Sequence, residues 1–90
     1  MNAFETLEAL NVAICKKTGA GKGLATTPEA ARAYREELYR HRAEFGAAII
    51  AARQEVLRPQ QTREEVDRNR GRHHYIDGCE SMLESVTHPR

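Results

Sequence analysis

The sequence predicts an all-α fold: a long antiparallel helical hairpin with a shorter N-terminal helix, in a single domain spanning residues 1–90. Apolar residues recur at spacings of three and four in three stretches, the period of helices with one buried face. Charged residues supply 30% of the chain and aromatic residues only 6%, with no tryptophan, a balance that suits charged helices better than strands. Segments bearing glycine, near residues 19–23, and proline, at Pro59, separate the three stretches. The pattern centres on residues 45–52, Phe-Gly-Ala-Ala-Ile-Ile-Ala-Ala, the one run of eight without a charged or polar side chain. Eight residues fall far short of the eighteen or more that span a bilayer, so the run is expected in the buried middle of a helix and not in a membrane.

The first helix is predicted over residues 3–17. Phe4, Leu7, Leu10 and Ile14 share one face, with Glu5 and Glu8 in the first half and Lys16 and Lys17 at the end, the polarity that complements a helix macrodipole. Three glycines within the five residues 19–23 then prevent further helix, since each costs about 1 kcal/mol relative to alanine. The second helix opens on Thr27 as N-cap, Pro28 at the first helical position and Glu29 in the first turn. It meets no breaker before Pro59, so it is predicted as one rod over residues 28–58, about 46 Å long at about 1.5 Å per residue. One apolar seam on it runs through Ala31, Tyr34, Leu38, His41, Phe45, Ala48, Ile49, Ala52 and Val56. A second, rotated by about 100°, runs through Tyr39, Ala43, Gly46, Ala47, Ile50 and Leu57.

Pro59 stops that helix and Thr62-Arg-Glu-Glu65 is a capping box for a third, predicted over residues 63–86. The short link makes the second and third helices antiparallel neighbours. The third helix, with Val66, Asn69, His73, Ile76, Cys79, Leu83 and Val86 at helical spacing, is the expected cover for the first seam. The first helix is then expected across the second seam. Gly71 and Gly78 leave room on the third helix for the close approach of another backbone.

A chain of 90 residues buries only roughly 60 to 65% of its unfolded surface, so part of its stability is expected from self-association. The net charge of +1 provides no global field for nucleic acid or an anionic membrane, and any such contact needs a local patch. Two cysteines without the features of a secretory leader suit free thiols in a reducing compartment, so the chain is read as cytoplasmic.

The residue types that carry chemistry do not assemble into a reaction centre. Thr18-Gly-Ala-Gly-Lys-Gly23 has the glycines of a phosphate-binding loop, but Lys16 stands where the motif needs its first glycine and Gly23 where it needs Ser or Thr. Lys16, Lys17 and Lys22 still flank the loop as candidate anion contacts. Arg68, Arg70 and Arg72 form the most basic cluster, scattered around the helix and mixed with Glu64, Glu65 and Asp67, which suits interface or solvated arginines. His73 and Asp77 have the i, i+4 spacing of paired zinc ligands, but no matching pair exists elsewhere, so they read as an ion pair and no metal or other cofactor is expected. His41 interrupts the first seam and is expected to hydrogen-bond Glu37 or Asn69. No serine, cysteine or histidine is placed with a base and an orienting acid, so no catalytic residue is assigned and the chain is not read as an enzyme.

Within the third helix, Thr62-Arg-Glu-Glu65, Asn69-Arg-Gly71, Tyr75-Ile76 and Met82-Leu83 together make a pattern that resembles small helical-hairpin proteins of tailed bacteriophages, over about a third of the chain. The resemblance implies a component of the virion around head and portal, or a small inhibitor of a host defence complex, acting in the host cytoplasm; some such inhibitors are oligomers that sequester cyclic nucleotides. The expected function is accordingly protein binding or self-assembly without catalysis, with Tyr39, Gly46, Ile50, Leu57, Arg68, Arg70 and Arg72 at the interface. The alternative is an oligomeric binder of nucleotides or nucleic acid through Lys16, Lys17, Lys22 and the three arginines.

Overall fold

Asn2 fixes where the chain first turns helical: its side chain accepts from the Glu5 amide at 2.8 Å while the Glu5 carboxylate accepts from the Asn2 amide at 3.3 Å, a reciprocal capping box. In the computed structural model, which describes residues 1–20, 27–56 and 62–88, the helix so started is α1, Ala3–Thr18. Gly19 ends it at φ 78°, a left-handed conformation that only glycine adopts without strain. Thr27 caps α2, Pro28–Arg40, by accepting from the Ala30 amide, and Thr62 caps α4, Arg63–Thr87, by accepting from the Glu65 amide. Between them lies α3, Arg42–Val56. The rest of the glycine loop and the Pro59 connection fall outside the described residues.

The described residues thus form four helices and no strand, and the all-α class stands while the predicted rod over 28–58 does not. The interruption is at His41, whose backbone sits at φ −103° and ψ 22°, far from the helical ψ near −42°. Its amide is shared between the carbonyls of Glu37 at 3.1 Å and Leu38 at 3.2 Å, so the chain tightens there to a 3₁₀-like turn.

The core belongs to the first seam. Leu38, Phe45, Ala48, Ile49, Ala52 and Val56 are buried with Leu7 and Ile14 of α1 and Ile76 and Cys79 of α4. Pairings along α3 and α4 run in opposite order: Arg53 meets Asp77 at 3.1 Å and Glu80 at 3.1 Å, whereas Gly46 lies under Leu83. Phe4 at the start of α1 donates its amide to Glu55 near the end of α3 at 3.1 Å, so α1 also runs against α3. Both α1 and α4 therefore pack on the first seam, and the expectation that the N-terminal helix covers the second is corrected. Apart from Gly46, the described part of the second seam faces outward: Ala43 and Ala47 are exposed, Tyr39 is 48% exposed and Ile50 is 61% exposed, while its neighbour Ile49 is 4% exposed.

Of the helical glycines, Gly71 and Gly78 make no close approach within the chain, since a Cβ added at either meets nothing within 4 Å. They keep the entropic cost of glycine in a helix without a packing return. Gly71→Ala and Gly78→Ala are each expected to raise stability by about 0.5 to 1 kcal/mol, read as a higher urea midpoint at unchanged slope. A loss of stability at either position would show that its backbone is closely packed after all.

Candidate functional site

Two polar centres hold α1 to its neighbours. Asn11 lies four residues after Leu7 and three before Ile14, on the face that α1 buries. Its carbonyl oxygen accepts from the Tyr34 hydroxyl of α2 at 2.5 Å, and its amide nitrogen donates to the Tyr75 hydroxyl of α4 at 3.0 Å. One amide thereby joins three helices. Phe4 meets the Tyr75 ring edge-on at 5.4 Å, and the Arg72 guanidinium lies 5.3 Å over the Phe4 ring. Burial raises the proton affinity of both tyrosines, and it pushes the buried Cys79 thiol up to about 11, with hydrogen bonding from Tyr75 opposing part of the shift. Cys79 is thus a protonated, unreactive thiol at neutral pH, and both Cys15 and Cys79 are free.

The second centre is Glu37, a charged side chain only 6% exposed. Its Oε1 accepts from Lys17 Nζ of α1 at 2.9 Å and lies 3.0 Å from His41 Nε2, while Arg40 approaches Oε2 at 3.5 Å. The other ring nitrogen of His41 faces Glu44 Oε2 at 3.6 Å. The hydrogen bond from Lys17 is the main cause holding the Glu37 carboxyl below its ordinary value, with His41 and the Arg40 charge adding to it against the cost of burial. His41 thus takes Glu37, one of its two expected partners. A cavity of about 200 Å³ beside Ile14, Lys17 and His41 borders the cluster, but the carboxylate is already committed to Lys17, Arg40 and the His41 ring. Both centres hold helices together.

The surface is more informative. Tyr39, Ala43, Ala47 and Ile50 follow one another at helical spacing along the outer face of α2 and α3. Gly46, expected at an interface, is half-buried under α4, and a Cβ there would sit 3.6 Å from Leu83 Cδ2. Leu57 lies outside the described residues. Where this face meets the end of α4, Arg35, Glu36, Tyr39, Arg40 and Arg42 line an open groove of about 580 Å³ with Ser85 and Val86. Arg42 is held in place, its NH1 donating to the Tyr39 carbonyl at 2.9 Å and its guanidinium lying 4.2 Å over the Tyr39 ring.

The other basic residues are dispersed. Lys17 is engaged by Glu37, Lys16 is exposed beside it, and Lys22 lies outside the described residues. Arg72 sits over Phe4, at the other end of α1, while Arg68 and Arg70 are exposed on α4. Thirteen residues of helix, about 20 Å, separate Phe4 from Lys17, so Lys17 and Arg72 do not converge on one ligand. His73 and Asp77 do not pair; Asp77 turns to Arg53 instead. Among the described residues no three His, Cys, Asp or Glu side chains stand together as a metal-ligand set, and no helix is long and apolar enough to cross a membrane.

No protein-family model, curated protein or solved structure matches the chain. The site therefore rests on its own geometry. Asn11, Glu55, Arg35 and Arg42 are the residues that sequence reasoning passed over. Asn11 was findable as a polar residue on an apolar face, and Arg42 as a cation three residues after an aromatic; Arg35 and Glu55 carry no such signal.

A group that holds its proton more tightly when folded stabilises the fold below its unfolded pKa, and that contribution is lost as pH rises to the folded value. For Cys79 the window runs from 9.0 to about 11, and Tyr34 and Tyr75 extend it upward from 10.0. Thermal midpoints are expected to hold near neutral pH and to fall steadily above about pH 9. Tyr34→Phe, which leaves the Asn11 carbonyl oxygen without its donor, is expected to cost about 1 to 3 kcal/mol in denaturant titration. A flat alkaline profile would contradict the buried hydroxyl network.

Proposed function

We propose that the protein works without catalysis, by binding protein through the outward face of α2 and α3. The observation that carries this reading is the exposure of Tyr39 and Ile50, joined by Ala43 and Ala47, on a face that neither α1 nor α4 covers. Scattered exposed apolar residues are ordinary, but these form one line with small residues between larger ones, the surface on which a second helix packs closely. Covering a side chain such as Ile50 stabilises a complex by up to about 1.5 to 3 kcal/mol. The occupant is a second copy or another protein. The reading keeps the likeness to small phage proteins, whether virion components or inhibitors of a host defence complex, and places the chain in the cytoplasm, where Cys15 and Cys79 stay reduced.

Ile50→Asp puts a charge in the middle of the face without entering the core. Circular dichroism and thermal stability are expected to stay close to wild type, with a change within about 0.5 kcal/mol. Assembly or partner capture, followed by light scattering and intact-complex mass measurement, is expected to be lost. A wild-type chain that stays monomeric at high concentration, with partner capture unaffected by Ile50→Asp, would refute the reading.

A further inference from the structure

We infer that His41 is a proton-dependent clamp across the α2 to α3 break: its doubly protonated ring holds Glu37 on one side and Glu44 on the other, and the neutral ring releases Glu44. The clamp is independent of the protein-binding reading above. His41 is the one residue between α2 and α3, and its two ring nitrogens face carboxylates of different helices. Nε2 lies 3.0 Å from Glu37 Oε1 in the last turn of α2, and Nδ1 lies 3.6 Å from Glu44 Oε2 in the first turn of α3. Neutral imidazole carries one N–H and one lone pair, so it donates to only one of these carboxylates. With that proton on Nε2, the shorter contact to Glu37 is kept and the Nδ1 lone pair points at an anion. Imidazolium, with a donor on each nitrogen, suits both sides.

The backbone gives the clamp its place. His41 immediately precedes α3 and Glu44 is the third residue of that helix, the spacing at which a glutamate folds back in a capping box. In such a box the carboxylate takes the backbone amide, but the His41 amide is already shared between the Glu37 and Leu38 carbonyls. The ring nitrogen is what is left for Glu44. The charged groups around the ring are Lys17 of α1, Glu37 and Arg40 of α2 and Glu44 of α3. Lys17 and Arg40 both contact Glu37, which therefore keeps two cationic partners when the ring is neutral, whereas Glu44 has no other ion pair among the described residues. Loss of the proton thus frees Glu44 and leaves Glu37 held. The side chains of His41 and Glu44 are 41% and 62% exposed, so the ring exchanges its proton with solvent without opening the core.

The test follows the full chain by NMR from about pH 5 to 9, the range that brackets histidine titration. It records the His41 ring nitrogens, the Glu44 side-chain carboxyl carbon and the exchange protection of the Phe45 amide, which donates to the His41 carbonyl at 2.9 Å. The Glu44 carbon is expected to show an inflection at the pH where the ring loses its proton. Phe45 protection, corrected for the intrinsic exchange rate, is expected to fall there by about two- to fivefold. Glu44→Ala is expected to abolish the fall, and His41→Gln, which keeps a donor for Glu37 without a titrating ring, to abolish both responses. A Glu44 carbon indifferent to the ring in the wild-type chain would overturn the inference whatever the variants do. A fall in Phe45 protection that persists in Glu44→Ala would overturn it as well, because the proton would then act through Glu37 alone.

Discussion

The carboxylate of Glu37 is the constraint on which the arrangement of helices depends. It is nearly withdrawn from water beside the break at His41, and an ion in that position is tolerated only if cations and donors surround it. Lys17 brings the end of α1, Arg40 the last turn of α2, and His41 the break itself. The same three contacts therefore tie the end of α1 to the last turn of α2 and to the break. Isolated surface ion pairs contribute little, but here several charges share one nearly buried carboxylate, the geometry in which such contacts specify an arrangement.

From that junction the consequences pass along the helices. With the end of α1 tied to Glu37, its apolar face and that of α4 both close on the first seam, and Asn11 stitches Tyr34 to Tyr75. A chain of this size cannot surround a helix on all sides, so one face of α2 and α3 is left outward. That face is apolar and small-residued, and at one end Tyr39 and Arg42 line a groove with Ser85 and Val86 of the last turn of α4. The exposed apolar face is thus a by-product of how the core closes.

Much of this was legible in the residues. Thr27 with Pro28 and Thr62 with Glu65 mark two helix starts, the glycines after Thr18 mark an end, and the periodicity of Phe45, Ala48, Ile49, Ala52 and Val56 marks the buried seam. Asn2 with Glu5 carried the same capping signal as Thr62 with Glu65 and went unread. The break at His41 has no proline or glycine to announce it, so no local pattern encodes it. Periodicity also says that two faces exist without saying which neighbour takes which. For that reason Ile50 was read on a seam of its own and is exposed, while the helix thought to cover part of that seam lies elsewhere. Arg35 and Arg42 acquire meaning only once α4 places Ser85 and Val86 opposite them.

The most direct test of the account is the titration of the Glu37 side-chain carboxyl, followed by carbon NMR on the intact chain, because everything above assigns that group two cationic partners and the His41 ring. Its folded pKa is lowered from 4.5, so it contributes stability that is present above that value and is lost as pH falls through the folded midpoint. The account predicts a midpoint below the ordinary carboxylate range, returning toward it when Lys17 is replaced by methionine. A midpoint at or above the ordinary value, or one indifferent to Lys17→Met, would contradict the role assigned to Glu37.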